Sequence, residues 1–259
     1  MIQFQSFLSS SSGNCTFVTD GSANFLVDCG AGGRYITECL RRIGVMPESI
    51  TAILITHEHK DHMVGAGIIS RKYNIPIYAT EKTWTAMEDS IGRIEPSNRC
   101  ITEPQMHFGK LTVSSFPIPH DAADPVGYSF SYDNEKFTIA TDIGHVTDEL
   151  LAAISGSQSL ILEANHDVEK LQKGSYPFYL KKRILGELGH LSNAVSGEIC
   201  ARLAKTGTRD VWLGHLSAEN NNPSLAYETI MSILKAQEDE SARTLTVHVL
   251  PRYWIDIRS

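Results

Sequence analysis

The chain has 259 residues, 42% of them apolar and 20% charged, and a formal net charge of −7. That length allows one large domain or two small ones with a sizeable core, and the acidic balance argues against unaided binding to a polyanion. No apolar run is long enough to cross a bilayer, and Met1 to Ser12 has neither a basic start nor an apolar signal core, so the expectation is a cytoplasmic protein with no membrane partner. Cys15, Cys29, Cys39, Cys100 and Cys200 are odd in number and form no Cys-x-x-Cys pair, which fits reduced, packed thiols rather than a disulfide framework.

Taken in order, residues 2 to 28 read as a β-meander. Ile2 to Phe7 alternates at period two, and Cys15 to Val18 and Asn24 to Val27 are two further strands, with Asp20-Gly21 as a hairpin signal between them. The polar cluster Ser9 to Asn14 is either a plain turn or a source of hydroxyl and backbone donors. Asp28 closes the third strand, as a helix cap or as a partner that orients a histidine. Tyr35 to Ile43 has helical spacing. Ile53 to Thr56 is a short buried strand that runs into His57-Glu58-His59-Lys60-Asp61-His62, and a helix over 63–73 follows. Ile75 to Ala79 is a strand, and Thr80 caps a helix to Met87 with Trp84 facing inward.

A second strand-rich set covers 111–116, 126–132 and 136–141, with His120 and Asp142 just past strand ends. Ser159 to Leu162 is a buried strand leading to Glu163 and His166; the latter is a site residue or a structural histidine. Residues 168 to 186 turn basic and aromatic, with Lys170, Lys173, Tyr176, Phe178, Tyr179, Lys181, Lys182 and Arg183. That stretch is a solvated helix face or a surface with cations for phosphates and rings for bases. A helix runs from Ser192 or Asn193 to about Ala204, Asp210 to Leu213 is a strand ending at His215, Ser224 to Leu234 is a helix, and Leu245 to Val249 is the last strand.

The strand-end residues converge on one chemistry. Three histidines and an aspartate within six residues of a buried strand are a metal-site layout, because neutral imidazole and carboxylate are the usual ligands of zinc, manganese or iron. With His120, Asp142 and His215 there are enough groups for two divalent ions, Zn²⁺, Mn²⁺ or Fe²⁺. His57, His59 and His120 would hold one, Asp61, His62 and His215 the other, and Asp142 would bridge. Two ions about 3.5–4 Å apart share a bridging hydroxide and clamp the oxygens of a scissile group.

This pattern resembles the five motifs of the metallo-β-lactamase superfamily over nearly the full chain. The resemblance implies an α+β fold, a four-layer αββα sandwich of two mixed β-sheets flanked by helices, as a single domain over 1–259. Glu163-Ala164-Asn165-His166, Gly189-His190-Leu191-Ser192 and Gly214-His215-Leu216-Ser217 are similar to the late motifs of RNase Z-type phosphodiesterases. Carried over to this chain, that makes His190 the proton donor to the leaving group and His215 a ligand. Asp61 gains a catalytic role beside its metal role, and Asp28, Glu163 and His166 become supporting residues. Ser9 to Cys15 and Leu162 to Asp167 look most like the YycJ/WalJ (VicX) group, which implies a metal-dependent 5′-to-3′ exonuclease on nucleic acid, DNA over RNA. Lys170, Lys173, Tyr176, Lys181, Lys182 and Arg183 are its candidate substrate-binding residues. The competing expectation is a small-molecule thioester, ester or lactone hydrolase on the same centre.

Overall fold

The computed structural model describes residues 1–254. Its elements fall into two similar halves, each a stretch of antiparallel strands followed by parallel strands with helical crossovers. In the first half β1 (Gln3–Ser10), β2 (Gly13–Thr19) and β3 (Asn24–Val27) form the expected meander. It is followed by α1 (Gly33–Arg42), β4 (Ala52–Leu54), α2 (Lys60–Met63), α3 (Ala66–Tyr73), β5 (Ile77–Ala79), α4 (Glu81–Ile91) and β6 (Arg99–Ile101). The second half has β7 (Gln105–Phe108), β8 (Leu111–Pro117), β9 (Val126–Tyr132) and β10 (Glu135–Ala140), then α5 (Asp148–Ile154), β11 (Ser159–Glu163), α6 (Val168–Lys173) and α7 (Phe178–Ile184). It closes with α8 (Asn193–Ala204), β12 (Asp210–Gly214), α9 (Pro223–Ala236), α10 (Glu240–Thr244) and β13 (Thr246–Val249).

One sheet has the order β1-β2-β3-β4-β5-β6 and the other β13-β12-β11-β10-β9-β8-β7. In the first, β3 through β6 are parallel; in the second, β10 through β13 are. Period-two alternation then builds the layers, since successive side chains leave a strand on opposite faces. Phe25, Val27, Ala52 and Leu54 meet Phe130, Phe137, Ile139 and Ile161 between the sheets. Their neighbours Leu26, Ile53 and Ile55 turn outward against Ile36, Leu40, Ile69 and Trp84 of the helices on that side. Across the sandwich Leu160, Leu162, Val211 and Leu213 pack on Leu150, Ile199, Leu203 and Ile230. The result is the αββα sandwich expected from the sequence.

The caps also follow local chemistry. Thr80 accepts from the Thr83 N–H and starts α4, and Ser192, rather than Asn193, caps α8 by accepting from Val195. The differences lie in short pieces. The helix expected over 63–73 begins inside the histidine cluster, at Lys60, and breaks at Val64-Gly65, where the Gly65 N–H donates to the Cys29 carbonyl. The strands β6 and β7 and the helices α5 and α10 went unread because each is too short to show a period. Among the described residues no helix is long and apolar enough to cross a membrane.

Candidate metal centre

The parallel strands end at one edge of the sandwich, where loops of open α/β sheets commonly carry function. Asp28 follows β3, the His57–His62 cluster follows β4, Asp142 follows β10, Glu163 ends β11 and His215 follows β12. His120 arrives after β8. Asp28, Asp142 and His215 have φ of 59°, 59° and 56°, left-handed values that are unusual outside glycine. Three side chains of this edge are therefore aimed by backbone strain that the surrounding hydrogen bonds must hold.

Most of the imidazoles are fixed by their far nitrogen, so the near one faces the centre. His62 Nδ1 lies 2.8 Å from Asp28 Oδ2, His215 Nδ1 2.8 Å from Glu163 Oε1, and His120 Nδ1 3.2 Å from the Gly189 carbonyl. His57 Nδ1 is 3.0 Å from the Thr56 hydroxyl, which also donates to Asp28. Carboxylate or carbonyl on one nitrogen and an open second nitrogen is how metal-binding histidines are oriented. Asp28 therefore orients His62 and does not cap α1, whose N-terminal Gly32 makes no side-chain cap.

The inner nitrogens face one another and the carboxylates, and that of His62 also meets the Asn14 amide at 3.1 Å. His57 Nε2 and His59 Nδ1 are 3.1 Å apart, and His57, His59 and His120 offer ligand atoms within 4.8 Å of one another. Asp61, His62 and His215 form a second such group. Asp142 stands between the groups, with Oδ2 3.4 Å from His62 Nε2, and Oδ1 3.5 Å from His215 Nε2 and 3.8 Å from His120 Nε2. Asp142 Oδ2 and His215 Nε2 are buried with no hydrogen-bond partner among the described residues. Buried polar atoms in proteins are almost always paired, so a donor set that leaves two unpaired atoms aimed at one point fits a divalent cation.

The charge pattern agrees. Burial alone would hold His215 down, but Asp142, Asp61 and Glu163 outweigh it and push its imidazole up to about 10. His62 is raised in the same way, against its burial, by Asp142 and Asp28. Burial opposes ionisation of Asp142 as well, yet His215, His62 and His120 hold its carboxyl below the usual range. His57 is pushed well down, by burial first and then by His62, His120 and His59. His57 and His120, both held toward the neutral form by burial first, thus adjoin a cluster where protons stand in for positive charge. Ligands bind metal deprotonated, so loading the site must expel those protons.

Two further features frame the centre. Gly30 packs its backbone under the ligand loop, its N–H donating to the Asn14 carbonyl at 2.7 Å. A methyl group on Gly30 would stand 1.7 Å from the Asp61 carbonyl oxygen and 2.5 Å from the Asn14 nitrogen. We expect Gly30→Ala to displace the Asp61–His62 turn, costing about 1–3 kcal/mol or more as overpacking does. Thermal melts and metal content, measured together, should both fall; an unchanged metal content would show that the loop relaxes freely.

The second feature is a cleft of about 270 Å³ above the ligands, lined by His59, Asp61, His120, Asp142, His190 and His215 at its floor. Ser11, Asn165, Ser217, Asp121, Tyr176 and Arg183 also line it. His190 Nδ1 lies 2.9 Å from Glu163 Oε1, the same oxygen that holds His215. The structure divides the six candidate substrate-binding residues. Tyr176 and Arg183 line the cleft, and Arg183 Nε is ion-paired with Asp121. Lys182 is exposed. Lys170 instead donates to the Asn221 carbonyl, Lys181 to the carbonyls of Gln172 and Gly174, and Lys173 pairs with Glu169. Backbone carbonyls claim the ammonium groups of Lys170 and Lys181 and a carboxylate claims that of Lys173, which no charge count could show. His166 is 1% exposed, with neither ring nitrogen hydrogen-bonded among the described residues, and burial pushes it down to about 4.

Thr56 and Asp121 were not singled out in the sequence, although Asp121 Oδ1 lies 3.3 Å from His120 Nε2; Asn14, read only as part of the polar cluster Ser9 to Asn14, places its side-chain Nδ2 3.1 Å from His62 Nε2. Thr56 and Asp121 each adjoin a ligand histidine in sequence, which was the available signal.

The model of the metallo-β-lactamase superfamily matches residues 10–180. The chain belongs to the metallo-β-lactamase superfamily. Among relatives of this superfamily member, an exodeoxyribonuclease WalJ of Streptococcus pneumoniae is 43% identical over 235 residues, covering 89% of this chain and 87% of the relative. An exodeoxyribonuclease YycJ of Bacillus anthracis is 35% identical over 249 residues, covering 95% and 94%. Among solved structures, the metallo-β-lactamase fold protein YhfI of Bacillus subtilis superposes with a TM-score of 0.69 at 14% identity, over 98% of both chains, which confirms the fold.

Proposed function

We propose that this superfamily member, one domain over 1–259, is a metal-dependent phosphodiesterase that removes nucleotides from a DNA end, in the 5′-to-3′ direction, in the cytoplasm. The observation that carries the reading is Asp142 standing between two imidazole-rich groups at the floor of a cleft, with His190 beside it at 3.8 Å. The two full-length relatives named exodeoxyribonucleases weigh for DNA over RNA and against a small-molecule ester substrate.

Bound at these residues, two divalent ions would supply Lewis acidity and a water-derived nucleophile at neutral pH. His57, His59 and His120 would hold one, and Asp61, His62 and His215 the other, with Asp142 between. The chain does the rest. Glu163, kept ionised by His190 and His215 against its burial, accepts from His190 Nδ1 and so leaves Nε2 facing the cleft. An imidazolium there is placed to give its Nε2 proton to the leaving oxygen. Asp61, whose carboxyl lies below the usual range through His215 and His62 in spite of burial, holds the attacking water by a free oxygen. Arg183 and Tyr176 seat the phosphate at the wall of the cleft.

The test is digestion of end-labelled DNA by protein loaded with Mn²⁺ or Zn²⁺. Stepwise shortening from the 5′ end is expected, and its near-complete loss in Asp61→Ala. Cleavage by neither metal form, or equal cleavage by the variant, would overturn the reading. Saturable turnover of thioesters without DNA cleavage would replace it.

A further inference from the structure

We infer that Asp121 is a positioning residue: its carboxylate holds the Arg183 guanidinium by Nε, so that both terminal nitrogens are presented to the substrate's phosphate at the wall of the cleft. The inference rests on the phosphodiesterase reading and deepens it by naming what sets the phosphate clamp.

Asp121 is itself braced. It follows His120 in the loop between β8 and β9, and its backbone N–H donates to the Leu188 carbonyl at 3.2 Å. Beside it, His120 Nδ1 donates to the Gly189 carbonyl. Two residues on, the Ala123 N–H donates to Glu58 Oε1 at 2.8 Å, which ties the loop to the His57–His62 stretch. Leu188 and Gly189 lie between α7 and His190. The loop that carries Asp121 and the segment that continues from Arg183 are thus joined at two adjacent points.

The carboxylate faces two ways. Oδ2 accepts from Arg183 Nε. Oδ1 is buried with no hydrogen-bond partner among the described residues and lies 3.3 Å from His120 Nε2. The Gly189 carbonyl can only accept, so the His120 proton is on Nδ1, and burial holds the ring toward its neutral form. Nε2 and Oδ1 therefore turn lone pairs toward the same space. Oδ1 is placed to be drawn inward by the charge of an ion held at His57, His59 and His120, which would fix the carboxylate that Arg183 grips. Against its partial burial, Arg183 and then His120 hold the Asp121 carboxyl below the usual range.

Arg183 gains direction from this contact. A guanidinium carries its N–H donors in one plane, and pairing through Nε leaves the fork of two terminal nitrogens free. Among the described residues neither of them makes a hydrogen bond, and Arg183 lines the cleft. That fork matches two oxygens of one phosphate. A half-exposed arginine standing alone loses rotamer freedom when it grips a ligand, and Asp121 removes that loss in advance. The opposite sign is the competing case: a carboxylate on the guanidinium can also vie with the phosphate for it.

Kinetics on labelled DNA, with elemental analysis of each protein, separate the cases in the metal-loaded full chain. Arg183→Ala should raise KM about ten- to a hundredfold, more than it lowers kcat. Asp121→Ala should raise KM about two- to tenfold through the freed arginine, and should keep the wild-type metal content at saturating metal. Asp121→Asn retains an oxygen for Nε and should recover part of that loss. The double variant Asp121→Ala/Arg183→Ala should match Arg183→Ala alone, since one residue acts through the other. A KM that falls in Asp121→Ala overturns the inference, because Asp121 would then compete with the phosphate. Losses that multiply in the double variant, or an ion missing from Asp121→Ala, overturn it too, because Asp121 would then act on substrate or metal directly. If wild type cleaves DNA and Asp121→Ala has the same KM, the positioning role alone fails. If wild type cleaves neither DNA nor bis(para-nitrophenyl) phosphate, the phosphodiesterase reading fails with it.

Discussion

Asp142→Asn is expected to fold normally, to lose at least one of two bound ions, and to lower kcat by about a thousandfold or more. Asparagine keeps the volume and tolerates the left-handed backbone that this position requires, at a φ of 59°. What it loses is charge at a point that touches both halves of the centre. Asp142 lies within 3.8 Å of His62, His120, His190 and His215 at once. An ion that stabilises developing charge is worth several kcal/mol, and each 1.4 kcal/mol is about tenfold in rate. Elemental analysis beside kinetics checks both parts. A variant that keeps two ions and wild-type kcat would show that Asp142 is not shared between them.

The sequence exposed this centre unevenly, for physical reasons. His57 to His62 was legible because two alternate positions of the loop after β4 and a helix turn put four donors of the right chemistry into one short stretch. Asp28, His120, Asp142 and His215 are each ordinary alone; only their recurrence past strand ends, and the resemblance, joined them. The layers of the sandwich were legible wherever a strand alternates, as in Phe25-Leu26-Val27. Two kinds of feature were not. Short pieces such as β6 have too few residues for a period. Side-chain allegiance is decided in space: nothing in the run 170–183 tells that Lys170 turns to a distant carbonyl at Asn221 while Arg183 turns to the cleft. The same holds for Asn14, whose amide reaches His62 only because the β1–β2 hairpin folds over the ligand loop.

The second large effect is expected at Glu163, although in the proposed mechanism it touches neither metal nor substrate. Its side chain is fully buried and accepts four hydrogen bonds: Oε1 from His190 Nδ1 and His215 Nδ1 at 2.9 and 2.8 Å, Oε2 from the backbone N–H groups of Ile143 and Leu191 at 2.8 and 3.0 Å. Only an ionised carboxylate can accept all four, and with Asp142 and Asp61 it also favours the charged form of His215 against its burial. Glu163→Gln keeps the shape but replaces one acceptor with an NH₂ that must face two N–H donors. Either the two histidines or the two backbone groups then lose their partner, at about 1–3 kcal/mol for each buried group left unpaired. Loss of the His215 support should weaken metal binding about 10–100-fold. Loss of the His190 support removes a proton donor worth about 10²–10⁴ in rate. We therefore expect kcat on DNA to fall at least a hundredfold in Glu163→Gln and in His190→Ala, and the double variant to be little worse than the worse single one, because the residues act as a unit. A substrate with a para-nitrophenolate leaving group needs no protonation and should be far less sensitive to His190→Ala. Equal losses on both substrates would remove His190 from the proton-donor role, and multiplicative losses in the double variant would separate it from Glu163.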